Sequence, residues 1–196
     1  FDISAANTIE GSEANFTALL TDDGNGQIDI DNQAITVTGE ISVDNANLLD
    51  AATDGTITAS IDTTEDVDEL KTLTGTTHAY TIVIADGDAT TTTAAELTTI
   101  NGKTTEAIDA SAITALASDT IDNIKTLLTA GNDTDQFTAA SFGSLTAVTV
   151  SDDGTLDGSK LAAAIDEANE ATDDTSVEFD ISAANTIEGS EANFTA

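Results

Sequence analysis

The chain has 196 residues, 39% of them hydrophobic, and carries a formal charge of −33, with 37 acidic residues against four lysines and no arginine. So few cations leave it without the means to grip phosphate, which excludes nucleic acid and an anionic membrane surface as partners. Cys and Met are absent and no apolar run approaches the ~18 residues that span a bilayer, so neither a disulfide framework nor membrane insertion is expected. The apolar fraction is enough for a core, whereas carboxylates at this density repel one another. Salt or divalent cations must screen them. The expected setting is therefore extracellular, at a cell surface in a saline, calcium-containing medium.

The first eighteen residues, Phe1 to Ala18 (FDISAANTIEGSEANFTA), return unchanged as Phe179 to Ala196, a period of 178. A window cut from a tandem array restates its own beginning in this way. Residues 1–178 read as one full repeat and 179–196 as the start of the next. The expected partners are neighbouring copies of the same repeat, joined end to end, with lateral self-assembly as a further mode. Phe1-Asp-Ile-Ser4 and Phe179-Asp-Ile-Ser182 are strand-like, so each copy is expected to add the same strand and pass the sheet into the next unit. Asn15-Phe-Thr17 and Asn132-Asp-Thr134 match the N-glycan acceptor pattern.

Asp22-Asp-Gly-Asn-Gly-Gln-Ile-Asp-Ile-Asp31 sets oxygen ligands and glycines at spacings similar to those of a calcium loop. It is not an EF-hand, since aligning Gly26 with the turn glycine puts Thr21 at the first ligand position and Asn32 where a bidentate Glu belongs. Asp22, Asp23, Asn25, Asp29 and Asp31 are the candidate Ca2+ ligands; the other reading is a solvated acidic turn. Asp152, Asp153 and Asp157 form a second candidate set, and Asp86-Gly-Asp88 a fainter third. Gln27 to Val43, with Ile28, Ile30, Ile35, Val37, Ile41 and Val43 near period two, predicts strand, as does Phe137 to Val150.

A shorter period runs inside the long one: two apolar residues three apart, a Gly, then a β-branched run. Leu49-Asp-Ala-Ala52 leads to Gly55 and Thr56 to Ile61, Leu70-Lys-Thr-Leu73 to Gly75 and Tyr80 to Ile84, and Leu97-Thr-Thr-Ile100 to Gly102 and Ala107 to Ser111. Phe16, Ile124 and Leu161 head looser versions, giving about six units of roughly thirty residues. Cap residues such as Thr93 and Asp119 ahead of the apolar pair predict a short helix closed by Gly, and the alternation after it predicts a strand. The expected fold is a β-rich solenoid with a strand and short helix per coil and a parallel sheet; the alternative is a tandem calcium-stabilised β-sandwich. With no Pro and no Ser/Gly linker, no internal domain boundary is predicted.

Ile41 to Leu128, through the phrases LLDAATDGTITASI, ELKTLTGTTHAYTIVIAD and ELTTINGKTTEAIDASAITALASDTIDNI, is similar to the repeats of giant cell-surface proteins of marine bacteria, cyanobacteria in particular. The resemblance implies a non-enzymatic structural or adhesive role and carries over no functional residue.

His78, the one histidine, is read as a surface-turn residue without a nucleophile beside it. With no Trp and one Tyr, platforms for stacking sugars are scarce. Thr36/Thr38, Thr56/Thr58, Thr72/Thr74 and Thr90 to Thr93 raise ice binding, but their uneven spacing favours ordinary exposed strand. The expectation is a non-enzymatic structural repeat of a filament, fibre or surface layer, with an adhesin or a carbohydrate- or ice-binding module as the alternative.

Overall fold

The computed structural model describes residues 6–172 and 176–190. They group into two compact units: residues up to Val83 together with Ile100–Glu106, and Ile84–Thr99 together with the chain from Ala107 onward. No Pro, Gly or Ser run marks the division.

In the first unit, strand β1 (Thr8–Gly11) runs into helix α1 (Glu13–Gly24), β2 (Ala34–Ile41) into α2 (Val43–Ala52), and β3 (Ile57–Ile61) towards the single-turn α3 (Val67–Leu70), before β4 (Ala79–Thr81). The four strands form one sheet in the order β1-β2-β3-β4, each pair parallel. Each helix starts on a side-chain oxygen. Ser12, Ser42 and Asp66 accept from the amides of Asn15, Asn45 and Glu69, and Asn15 and Glu69 return the bond to the cap amide. Period-two burial along β3 puts Ile57, Ala59 and Ile61 in the core and leaves Thr58 and Ser60 in solvent. Leu49 of α2 and Leu70 of α3 are buried with them.

In the second unit, α4 (Ala94–Asn101, of which residues up to Thr99 belong here) is followed by β5 (Ala115–Asp119), α5 (Ile121–Gly131), β6 (Ala147–Val150), β7 (Gly154–Asp157), α6 (Gly158–Ala171), β8 (Glu178–Asp180) and β9 (Ala184–Glu188). β5, β6 and β8 make one parallel sheet, and β7 and β9 another. Thr120 and Asp157 cap α5 and α6. The two helices are tied by Lys160 Nζ to Asp122 Oδ2 at 2.6 Å and by Asn132 Nδ2 to Glu167 Oε2 at 2.8 Å. Phe137 and Phe142, both buried, pack with ring centroids 5.2 Å apart.

The β-rich solenoid expected from the pattern is not what forms. The described residues form a mixed α/β fold with six α-helices and three separate parallel sheets; among them the longest helix has 14 residues and no strand exceeds 8. The apolar phrases, capped by Ser, Thr and Asp, propagate as helices longer than expected in α1, α2, α5 and α6. Several β-branched runs give only short strands: Phe137 to Val150 supplies β6 and one bridge from Phe137 to Ile108. The β-sandwich alternative fails as well, since every strand pair among the described residues is parallel. Nor do the glycines simply close helices. Gly55 stands where an added Cβ would lie 2.2 Å from the Gln33 carbonyl oxygen, so it is required by the close approach of two backbones.

Candidate functional site

Where α1 ends, the chain turns through Gly26 in the left-handed region (φ 68°) and doubles back. The amides of Asn25, Gly26 and Gln27 donate to the carbonyls of Thr21, Asp23 and Asp22. Asp23 Oδ1 accepts from Ile30 N at 3.3 Å, and Asp29 Oδ1 from Asp31 N at 3.1 Å. One carboxylate oxygen from each of Asp23, Asp29 and Asp31 lies within 4.8 Å of the others, lining an open depression with Gly26, Gln27 and Ile28. Of the first expected ligand set the loop thus gathers Asp23, Asp29 and Asp31. Asp22 stands outside that group, and Asn25 is the residue on which α1 stops. A hard cation of calcium's size takes six to eight oxygens. Three carboxylates supply the charge for one and part of its shell.

The second set is not gathered. Asp152 Oδ2 accepts from Ile121 N at 2.6 Å, the first amide of α5. Asp157 Oδ1 accepts from Ser159 N at 2.8 Å and Ser159 Oγ at 2.6 Å, as the cap of α6. Those hydrogen bonds from Ser159 hold the Asp157 carboxyl below the usual aspartate range. Asp153 is exposed. Asp86–Asp88 form one turn of 3-10 helix.

Asp152 belongs to a pattern the sequence reading missed, in which a carboxylate from one layer of the fold closes the helix N-terminus of another. Glu13 Oε1 accepts from Ser42 N, Ser42 Oγ and Asn45 Nδ2 at 3.0, 2.8 and 2.7 Å. Glu65 Oε1 accepts from Val43 N at 2.9 Å, and Asp119 Oδ2 from Ala95 N at 2.8 Å. The helix dipole and its orphan amides favour an anion at each of these places. The bonds from Asn45 and Ser42 bring the Glu13 carboxyl below the ordinary glutamate range. Glu65 moves the other way, raised by burial and by the neighbouring Glu69 despite the bond from Val43. Local sequence shows a helix which residue caps it from within, but gives no sign of a carboxylate arriving from 22 to 32 residues away.

His78 is not a surface residue. It is 3% exposed, its Nε2 lies 2.6 Å from Asp50 Oδ1, and its Nδ1 accepts from Ile57 N at 3.1 Å. An imidazole that accepts at Nδ1 and faces a carboxylate at Nε2 is in the Nε2–H tautomer, with both nitrogens engaged by the protein. For Asp50, burial raises the carboxyl but the bonds from Thr74 and His78 outweigh it, so it lies below the usual range. Gly75, at φ 72°, lets the loop close over this pair; a Cβ there would meet the imidazole at 2.5 Å.

The outward side of the first sheet is polar and mixed. Glu10, Thr36, Thr58 and Ala79 form one cross-strand row, and Glu40, Ser60 and Thr81 the next. Compared with known protein families, curated proteins and solved structures, the chain matches none. Among the described residues no helix is long and apolar enough to cross a membrane.

Proposed function

We propose that this chain is a structural repeat of an extended cell-surface protein, in which successive identical units join end to end into a filament or layer outside the cell. The observation that carries this reading is the duplicated segment. Its two occurrences share strand conformation over three equivalent residues, Thr8–Glu10 in β1 and Thr186–Glu188 in β9, each a strand at the end of a parallel sheet; the flanking residues differ, Ala184 and Asn185 being strand where Ala6 and Asn7 are not, and Gly11 where Gly189 is not. Phe1 to Ser4 lie outside the described residues, while Phe179 and Asp180 fall in β8.

The charge supports an outside location: acids spread over the whole period suit a saline, calcium-containing medium and oppose collapse of one repeat onto another. Calcium belongs to the same proposal, with Asp23, Asp29 and Asp31 as its most compact carboxylate group. A lattice-matching face for ice or a stacking platform for sugars has less behind it, since the outward rows interleave Thr with Glu, Ala and Ser. The test is electron microscopy of recombinant chains of one, two and four periods. Length growing by a constant step per period is expected, and particles of four periods no longer than those of one overturn the reading.

A further inference from the structure

The two copies of Thr-Ile-Glu use opposite edges. Among the described residues β1 pairs only with β2, which follows it in the chain, whereas β9 pairs only with β7, which precedes it. Register puts Ile9 beside Ile35 and Ile187 beside Leu156, both of those neighbours buried, so the isoleucine turns to the core side at both places. In an extended strand of L-residues running in a given direction, an inward side chain fixes the edge to which that residue turns its N–H and C=O.

Along this chain that edge is always the following one. Ile35 N donates to Thr56 O, Ile84 N to Asp109 O and Ile108 N to Gln136 O, while Ile41 O accepts from Asp62 N. β1 obeys the same rule. Ala34 N donates to Asn7 O at 3.3 Å, the arrangement in which Asn7, Ile9 and Gly11 face β2 while Thr8 and Glu10 face the open edge. In β9 the preceding neighbour is present and, among the described residues, the following one is not. Thr186 and Glu188 therefore serve β7, and Ile187 points its amide and carbonyl at an empty edge. Its side chain, 36% exposed, is one of three large hydrophobic residues left in solvent among those described.

We propose that consecutive repeats are joined by one shared strand: a single Thr-Ile-Glu segment closes the β7 sheet of one repeat through Thr and Glu and opens the four-stranded sheet of the next repeat through Ile. The occupant of the open edge of β9 is thus the β2 strand of the following copy of this chain, and the ladder across the joint reads Leu156, shared Ile, Ile35. This rests on the tandem-repeat reading and adds the identity of the joint.

The test compares the 196-residue chain with a chain of two periods in which the middle copy of the segment lies between both neighbours, using hydrogen exchange resolved to single amides. In the 196-residue chain, Thr186 and Glu188 are expected to be protected and Ile187 to exchange freely, with the converse at Thr8, Glu10 and Ile9. In the two-period chain, the middle isoleucine is expected to slow by about 100-fold or more, so that all three middle amides are protected. A middle isoleucine that still exchanges as fast as Ile187 of the single chain overturns the shared strand. It leaves the repeat reading standing if length still grows in constant steps. Constant length with a fast middle isoleucine overturns both.

Discussion

Tyr80 is fully buried, yet its hydroxyl has no hydrogen-bond partner among the described residues, and burial raises its pKa well above the usual phenol value. An unpaired buried hydroxyl costs about 1–3 kcal/mol. Tyr80→Phe keeps the ring against His78, whose centroid is 5.3 Å away, and should raise stability by about 1 kcal/mol in urea unfolding. His78→Ala has the opposite sign. It leaves Ile57 N without its acceptor and Asp50 without its imidazole, so a loss of about 2–4 kcal/mol is expected from the same measurement. A variant as stable as the parent would remove His78 from the account of the core. The fate of His78 could not be read from Thr-Thr-His-Ala. What buries it is Asp50 and the Ile57 amide, 28 and 21 residues away, together with a loop that closes because residue 75 has no side chain.

At the scale of elements, two carboxylates, Glu13 closing α2 across layers and Asp50 facing His78, make the fold acid-labile in a predictable direction. Glu13 and Asp50 have lowered folded-state values, so their stabilisation is complete above the unfolded-state values near pH 4 and fades as pH falls through the lower folded ones. Glu65, being raised, costs stability when ionised and returns it on protonation. Thermal melts between pH 7 and pH 3 should therefore fall steeply below about pH 4. Glu13→Ala should lose about 1 kcal/mol at pH 7 and show a shallower acid slope. An unchanged slope would separate Glu13 from the stability of α2.

Helix positions were legible because cap and apolar pair are local signals: Phe16, Leu49, Leu70, Leu97, Ile124 and Leu161 fall in α1 to α6 in turn. Helix length and strand length were not. Leu49-Asp-Ala-Ala belongs to a ten-residue helix because Ser42, seven residues earlier, is its cap. Gln27 to Gln33, regular on paper, is irregular rather than strand because Gly26 and the Asp23–Asp31 loop reverse the chain there. Part of the acidic loop was visible as spaced Asp and Gly. Its selection of Asp23, Asp29 and Asp31 depends on that reversal.

For the whole molecule, a charge of −33 means that every compact arrangement works against its own field. The β7–β9 ladder even sets Asp157 beside Glu188, an unfavourable like-charge pair that salt relieves. The melting temperature should rise with sodium chloride, and rise further with millimolar calcium at matched ionic strength. Equal melts in calcium and in chelator would remove the divalent ion, and flat melts against salt would remove the self-repulsion argument. The four lysines bear on how such a chain meets proteases. An enzyme that cuts after basic side chains finds four scissile bonds in the entire sequence. At two of them the ammonium it must capture is already clasped by an aspartate, Asp68 on Lys71 at 2.7 Å and Asp122 on Lys160 at 2.6 Å. Digestion by trypsin-type enzymes should accordingly be slow and begin after Lys103 and Lys125, which mass spectrometry of the fragments would show.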